Sequence, residues 1–303
     1  MEKILRIFDV SSFVHAGKVN SYAMIDCGLV MSGTSFVNPK IPCGGTSLLW
    51  NVIYEHAMDD MIFCVDRDPS IKREMLPSYK AQRTFNADVQ KQKDITEYIL
   101  KDCNFTVLAK DGYEGDDFVN LAVEKYRDYY DHIYIYTGDS DLYYLVSDTV
   151  SIEPSSSKAK RVNMSNYTYT VRKGEYTPYN TVALRKIISG DTADNIPPLY
   201  TPYANVYMSI EEDFGNFEKI RDLFKQYNDT DGVEHSYWVE PLTPIGVDLN
   251  ILKPDLSRVK AWGVAFRNSN FIRHSKTGSN ESIIDESINE LVNKGLVVKG
   301  AKW

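Results

Sequence analysis

Aspartates and glutamates recur in this chain where apolar runs end. Asp9 closes Ile4-Leu5-Arg6-Ile7-Phe8, and Asp66 closes Met61-Ile62-Phe63-Cys64-Val65. Asp139 and Asp141 follow His132-Ile133-Tyr134-Ile135-Tyr136 in the string Gly138-Asp139-Ser140-Asp141. Asp191 and Asp194 follow Leu184-Arg185-Lys186-Ile187-Ile188 in Gly190-Asp191-Thr192-Ala193-Asp194-Asn195, while Glu114, Asp116 and Asp117 form a further acidic string. Parallel strands bring their carboxyl ends to one sheet edge, so acids placed there gather into a single electronegative pocket. Such a pocket repels itself unless cations fill it, and hard divalent ions with oxygen ligands, Mg2+ or Mn2+, suit it. Two ions held about 4 Å apart across a phosphate need several carboxylates, some of them acting through water. The acids here exceed what a single Mg2+ requires. The chemistry they point to is metal-assisted phosphodiester hydrolysis, in which one ion activates water and both stabilise the charge of in-line attack. Each acid alone would also serve as a helix cap or a first-turn carboxylate. Capping does not explain why so many separate segments bring acids to the same edge.

The elements that must position these acids follow from the hydrophobic pattern. Strands are expected near 3–8, 61–65, 104–109, 132–137 and 149–153, and helices near 46–59, 86–101, 116–130 and 140–146. This alternation predicts an α/β fold with a mostly parallel central sheet flanked by helices. Segment 67–85 carries Asp68-Pro69 and Leu76-Pro77 and is too long for an ordinary strand-to-helix connection, which marks it as functional or mobile. Ser155 to Arg161 reads as a polar loop before a β-rich stretch from Val162 to Val171. Beyond about residue 180 helices are expected at 180–189, 210–227, 255–267 and 281–294. A loose domain boundary is therefore placed there, with string 190–195 at the hinge.

The chain has 303 residues, 43% of them hydrophobic, enough for a large core. Charges inside its first apolar run and the lack of a long apolar stretch lead us to expect a cytosolic protein without membrane contact. Cys27, Cys43, Cys64 and Cys103 form no CxxC pair, so reduced thiols and no zinc are expected. A net charge of −8 argues against a generally basic nucleic-acid surface, yet setting the strand-end acids aside leaves the remainder near balance. Arg67, Lys72, Arg73, Lys80, Arg83, Lys91 and Lys93 then form a basic stretch directly after Asp66, able to engage phosphates whatever the net charge.

Taken in order, Asp9, Asp66, Tyr79-Lys80-Ala81-Gln82-Arg83, Tyr113-Glu114-Gly115-Asp116-Asp117, Gly138-Asp139-Ser140-Asp141-Leu142 and Gly190-Asp191-Thr192-Ala193-Asp194-Asn195-Ile196-Pro197 resemble the motifs of the flap endonuclease/5′-nuclease family. The resemblance spans residues 1 to about 198 and looks closest to the T-even phage ribonuclease H branch. It implies a PIN/5′-nuclease-like catalytic domain over 1–180 with a flexible arch at about 67–93. It also implies a C-terminal helical DNA-binding subdomain over 181–303. Asp9, Asp66, Glu114 and Asp116 would form one group of metal carboxylates, and Asp117, Asp139, Asp141, Asp191 and Asp194 the second or the outer shell, around two Mg2+ or Mn2+ ions. Lys80 and Arg83 would contact the scissile phosphate, Tyr79 would stack on a base, and Lys72, Arg73, Lys158, Lys160 and Arg161 would add DNA contacts. The implied activity is 5′–3′ exonuclease or flap endonuclease action with ribonuclease H-like primer removal in phage replication. Its substrates would be 5′ ends, nicks, flaps and RNA–DNA hybrids, and its products would carry 5′-phosphate and 3′-hydroxyl ends.

One departure stands out. The family follows its GDxxDNIPG string with a glycine-rich hairpin that grips duplex backbone, whereas this chain reads Pro197-Pro198-Leu199-Tyr200-Thr201-Pro202-Tyr203. Proline lacks the amide donor such a phosphate nest needs, which puts the hairpin and its monovalent K+ site in doubt. Arg172, Lys173, Arg258, Lys260, Arg267 or Arg273, or a sliding clamp or single-strand binding protein, would then supply the anchoring of a monomeric enzyme. Two rivals are weighed. A HAD-like phosphatase would need a second Asp where Ser11 stands, and a non-catalytic DNA-binding relative would have lost some of the acids.

Overall fold

The computed structural model describes residues 2–17, 24–26, 30–37, 40–155, 161–164, 169–171, 174–176, 190–196, 242–268 and 280–297. Its centre is a five-stranded parallel sheet made of β1 (Ile4–Asp9), β6 (Asp60–Cys64), β7 (Thr106–Leu108), β8 (His132–Thr137) and β9 (Val150–Pro154), in the order β7-β6-β1-β8-β9. All five predicted strands are present, within about two residues. Because every pairing is parallel, every carboxyl end lies along one edge. The connections run outward from β1 to one side and from β8 to the other, so the switch point falls between these neighbours, where ligands of open α/β sheets bind.

Alternation along each strand builds two cores. On one face Phe8 is stacked between Phe63 and Tyr136, its register partners on β6 and β8, with ring centroids 4.7 Å away on either side. On the other face Leu5, Ile7, Ile62, Ile133 and Ile135 pack with Phe118, Val119 and Val123 of α5 (Gly115–Tyr126). The Phe63-Phe8-Tyr136 stack ends one residue before Asp9. The buried ladder therefore fixes where β1 stops and where its terminal carboxylate stands.

The first face is covered by α1 (Val10–Gly17), α2 (Gly44–Glu55) and α4 (Ala87–Asp102). A Cβ on Gly45 would lie 2.5 Å from the Val14 Cα, so glycine is what lets α1 and α2 touch backbone to backbone. Helix α1 and the short strands β2 (Met24–Asp26), β3 (Val30–Ser32), β4 (Ser35–Val37) and β5 (Lys40–Pro42), paired β2 with β5 and β3 with β4, occupy a stretch for which the pattern predicted no elements. The helix expected near 140–146 is a 3-10 helix over Ser140–Leu145, and the expected β-rich stretch ends in β10 (Tyr169–Val171), which pairs with β11 (Gly174–Tyr176) just beyond it. Segment 67–85 contains the short helix α3 (Ser70–Met75) followed by consecutive turns.

Two late helices match their expected positions, α6 (Leu256–Asn268) and α7 (Asn280–Asn293). Val259, Trp262 and Phe266 of α6 and Ile288, Leu291 and Val292 of α7 join the same hydrophobic cluster as Phe8 and Trp50. Polar ties secure them: Trp50 Nε1 donates to the Val259 carbonyl at 3.1 Å, and Trp262 Nε1 to Asp102 at 3.0 Å. These helices thus belong to the core of the sheet domain. The expected helices 180–189 and 210–227 and the proline string 197–203 lie outside the described residues, as do Cys27, Lys158, Lys160, Arg172, Lys173 and Arg273. Cys43, Cys64 and Cys103 are buried free thiols.

Candidate active site

Asp9, the last residue of β1, is held by hydroxyls from two neighbouring elements. Its carboxylate accepts from Ser12 Oγ, from the Ser12 amide at 3.2 Å and from Thr137 Oγ1 at the end of β8 at 2.8 Å. Asp66, just past β6, is held on both oxygens. Oδ1 accepts the Gly115 amide at 2.6 Å, and Oδ2 accepts Ser11 Oγ and the Lys93 ammonium, the latter at 2.8 Å. The Gly115 amide belongs to the N-terminus of α5, whose dipole favours the negative charge. A Cβ at Gly115 would lie 2.8 Å from Asp66 Oδ1, so the approach needs glycine. Ser11, standing where a phosphatase would need its second Asp, is a donor to Asp66 instead.

Asp116 lies half-buried in the first turn of α5, and its charge is felt together with those of Asp9, Asp139, Asp66 and Glu114. Desolvation and the repulsion of these four acids push its carboxyl well above the ordinary range. Burial and then Asp66 raise Asp9 likewise. For Asp66 burial acts the same way, but the Lys93 ammonium with the Ser11 and Gly115 donors overcomes it and holds the carboxyl far below the usual range. The cluster is thus unevenly compensated, with cationic support at Asp66 and a deficit around Asp116 and Asp9.

A divalent cation fits that deficit. Among the described residues no group of three acids forms a ready cage for one ion, so capture by direct protein ligands alone is not the arrangement present.

The wall beside the acids comes from residues 70–83. Lys72 reaches Glu114 at 2.9 Å and Asp117 at 3.1 Å, Lys80 pairs with Glu114 and approaches Asp194 at 3.5 Å, and Tyr79 donates its hydroxyl to Glu114 at 2.6 Å. Burial opposes the charges of Glu114, Lys72 and Lys80, yet their mutual attraction prevails. Glu114 is lowered and both lysines are raised. The string 190–196 docks on this wall. The Lys80 amide donates to the Asp194 carbonyl at 2.8 Å, Gln82 Nε2 to the Ala193 carbonyl at 2.7 Å and Asn195 Nδ2 to the Ser78 carbonyl at 3.0 Å, while Arg83 pairs with Asp194. Ile196 packs against Leu76 and Tyr79.

Several expectations are corrected by these contacts. Asp117 is fully buried and spends its oxygens on the Glu114 amide at 2.8 Å, the Leu242 amide at 2.7 Å and Lys72, so it anchors α5 and is not placed to hold an ion. Lys72, 5% exposed, is an internal counter-ion and not a DNA contact. Tyr79, 3% exposed and capped by Ile196, has no face free to stack on a base. Asp194 and Glu114 serve the basic wall more than the acid cluster. Asp139 accepts the Asp141 amide at 2.9 Å at the start of the 3-10 helix, and Asp191 accepts the Ala193 amide at 2.8 Å, so each also shapes its own turn. Arg73 pairs with Asp68, Arg161 with Glu153, and the half-buried Arg258 with Asp102. Within the basic stretch Lys72, Lys80 and Lys93 turn inward, while Arg73 and Arg83 are exposed. Ser11, Ser12, Thr137, Gly115 and Lys93 were not singled out from sequence as parts of the acid site. The only signal was that the first four adjoin its acids in the chain.

Comparison with known proteins agrees with this geometry. Residues 31–173 match the family described as the 5′-3′ exonuclease N-terminal, resolvase-like domain. A 5′-3′ exonuclease of Aquifex aeolicus is 28% identical over 233 residues, 72% of this chain and 78% of that protein. A DNA polymerase I of Caldicellulosiruptor bescii is 29% identical over 195 residues, 61% of this chain but only 23% of the polymerase. Among solved structures, the T5 D15 protein co-crystallised with metal ions superposes over 96% of this chain and 98% of its own, with a TM-score of 0.55 at 16% identity, which shows a shared fold. Fold and site together define a sheet-edge, acid-centred domain of the PIN/5′-nuclease type. Over residues 31–173 the chain's likeness is to the 5′-nuclease family.

Proposed function

We propose that this chain is a divalent-metal-dependent nuclease that hydrolyses phosphodiesters at the 5′ ends of nucleic acids, acting on duplex ends, nicks, flaps and RNA–DNA hybrids in replicative primer removal. The observation that carries this reading is the acid cluster Asp9, Asp66, Asp116 and Asp139 at the switch point of the sheet, beside a wall bearing Lys80 and Arg83. The match of residues 31–173 to the 5′-3′ exonuclease N-terminal domain supports it, as does the shared fold of a second superposing structure, that of the bacteriophage T5 D15 flap endonuclease in complex with DNA and metal ions.

Asp9, Asp116 and Asp139 would hold the ions, with Asp66 set behind them by Gly115, Ser11 and Lys93. Mg2+ or Mn2+ bound there would acidify water and neutralise phosphate charge. The chain's own residues do the rest. Thr137 and Ser12 fix the orientation of the Asp9 carboxylate, and the Lys93 ammonium, with the Ser11 hydroxyl and the Gly115 amide, keeps Asp66 ionised. Lys80 and Arg83, paired with Glu114 and Asp194, exchange those carboxylates for the nonbridging oxygens of an entering phosphate, and the guanidinium offers two parallel donors.

End-labelled nicked, flapped and RNA-primed duplexes incubated with Mg2+ or with EDTA test the proposal. Release of short 5′ products with Mg2+ and none with EDTA is expected. Intact substrate under both conditions would refute it.

A further inference from the structure

We infer that Lys93 is a built-in cation of the acid cluster, supplying beside Asp66 positive charge that the site would otherwise take from a divalent ion. The inference rests on the nuclease reading above and concerns how many charges the chain itself provides.

Lys93 projects from the middle of α4 with a side chain only 11% exposed, and its ammonium lies 2.8 Å from Asp66 Oδ2. Burying an ammonium is costly unless an opposite charge meets it. A lysine at this point of a helix interior is therefore no accident of surface composition. Asp66 in turn has its second oxygen on the Gly115 amide and shares the first with Ser11, so the protein itself already coordinates this carboxylate fully. Asp9, by contrast, is met by hydroxyls and an amide, all neutral donors. One side of the cluster thus carries its own cation, while the hydrogen bonds at Asp9 come from neutral donors.

Removing the ammonium should therefore make the cluster bind more metal. Mn2+ titration calorimetry on the full chain, without nucleic acid, reads this directly for wild type, Lys93→Met, Lys93→Gln and Lys93→Arg, with thermal unfolding recorded for each. Lys93→Met and Lys93→Gln are expected to bind Mn2+ about tenfold more tightly, or to take up an additional ion, because a like charge a few ångströms away is gone. Lys93→Arg keeps the charge and should titrate like wild type. A purely structural lysine would lower the melting temperature and leave Mn2+ binding unmoved. That result overturns the inference, as does tightening in Lys93→Arg. If Lys93→Met does not fold, Lys93→Gln, which retains a donor for Asp66, decides. A wild type that binds Mn2+ and cleaves DNA while the variants titrate unchanged sinks only the role of Lys93. A wild type that does neither sinks the nuclease reading itself.

Discussion

Arg83 and Asp194 form an ion pair across 111 residues of chain, joining the Tyr79–Arg83 and Gly190–Asn195 strings. The backbone bends to allow it, since Lys80 and Asn195 both adopt positive φ, 53° and 62°, where the strands of contact cross. Non-glycine residues rarely sit there, and the hydrogen bonds between Ser78, Lys80, Ala193, Asp194 and Asn195 hold them in place. Asp194→Asn should release Arg83 and part of the Lys80 charge. DNA binding in EDTA, followed by fluorescence anisotropy, is expected to tighten severalfold at low salt. Unchanged or weaker binding would show that these cations do not face the nucleic acid.

Lys72 gives the contrasting case. Buried between Glu114 and Asp117, it neutralises two carboxylates at the start of α5. Lys72→Met should cost about 3–5 kcal/mol in urea unfolding, because breaking a buried pair leaves an uncompensated charge. The salt dependence of DNA binding should not change. Arg73→Ala, which removes an exposed pair with Asp68, should cost less than about 1 kcal/mol.

Acid sensitivity should run through Glu97. This α4 carboxylate receives Arg67 Nη2 at 2.7 and 2.6 Å and Lys101 at 2.7 Å, and although burial opposes its charge, these partners lower its pKa. A group whose pKa is lower folded than unfolded stabilises the fold above the unfolded value, near 4.3 for glutamate, and loses that contribution as pH falls through the folded value. Urea unfolding at pH 7 and pH 3 should show Glu97→Gln less stable than wild type at pH 7. The gap should narrow at pH 3.

Gly115 is where the path of α5 and the acid site are coupled. A methyl group there meets the Asp66 carboxylate, so Gly115→Ala should reduce cleavage well beyond its effect on the melting temperature. Activity equal to wild type would show that Asp66 tolerates displacement.

The parallel sheet was legible because its strands are short apolar runs with acids at their ends, and parallel pairing follows from alternation with helices. The positions of Asp9, Asp66 and Asp139 at or just past the ends of β1, β6 and β8 were legible for the same reason. What sequence hid was partnership. Nothing in the spacing of Lys72, Lys80 and Lys93 says that they turn inward, since charge runs ordinarily face solvent. Nor does the string Glu114-Gly115-Asp116-Asp117 show which acid binds outward. Helix geometry decides that, burying Asp117 under Leu242 and leaving Asp116 at the pocket. Helix α1 was missed because Val10-Ser11-Ser12-Phe13-Val14 has weak helix propensity, and its packing on α2 through Gly17 and Gly45 is a tertiary effect.

The most direct measurement compares wild type with Asp116→Asn on a 5′-labelled flap substrate in Mg2+, with circular dichroism and melting temperature recorded for both. Asp116 sits where repulsion is greatest, so the neutral variant should fold at least as stably as wild type yet lose cleavage. An Asp116→Asn protein that cleaves at the wild-type rate would contradict the account.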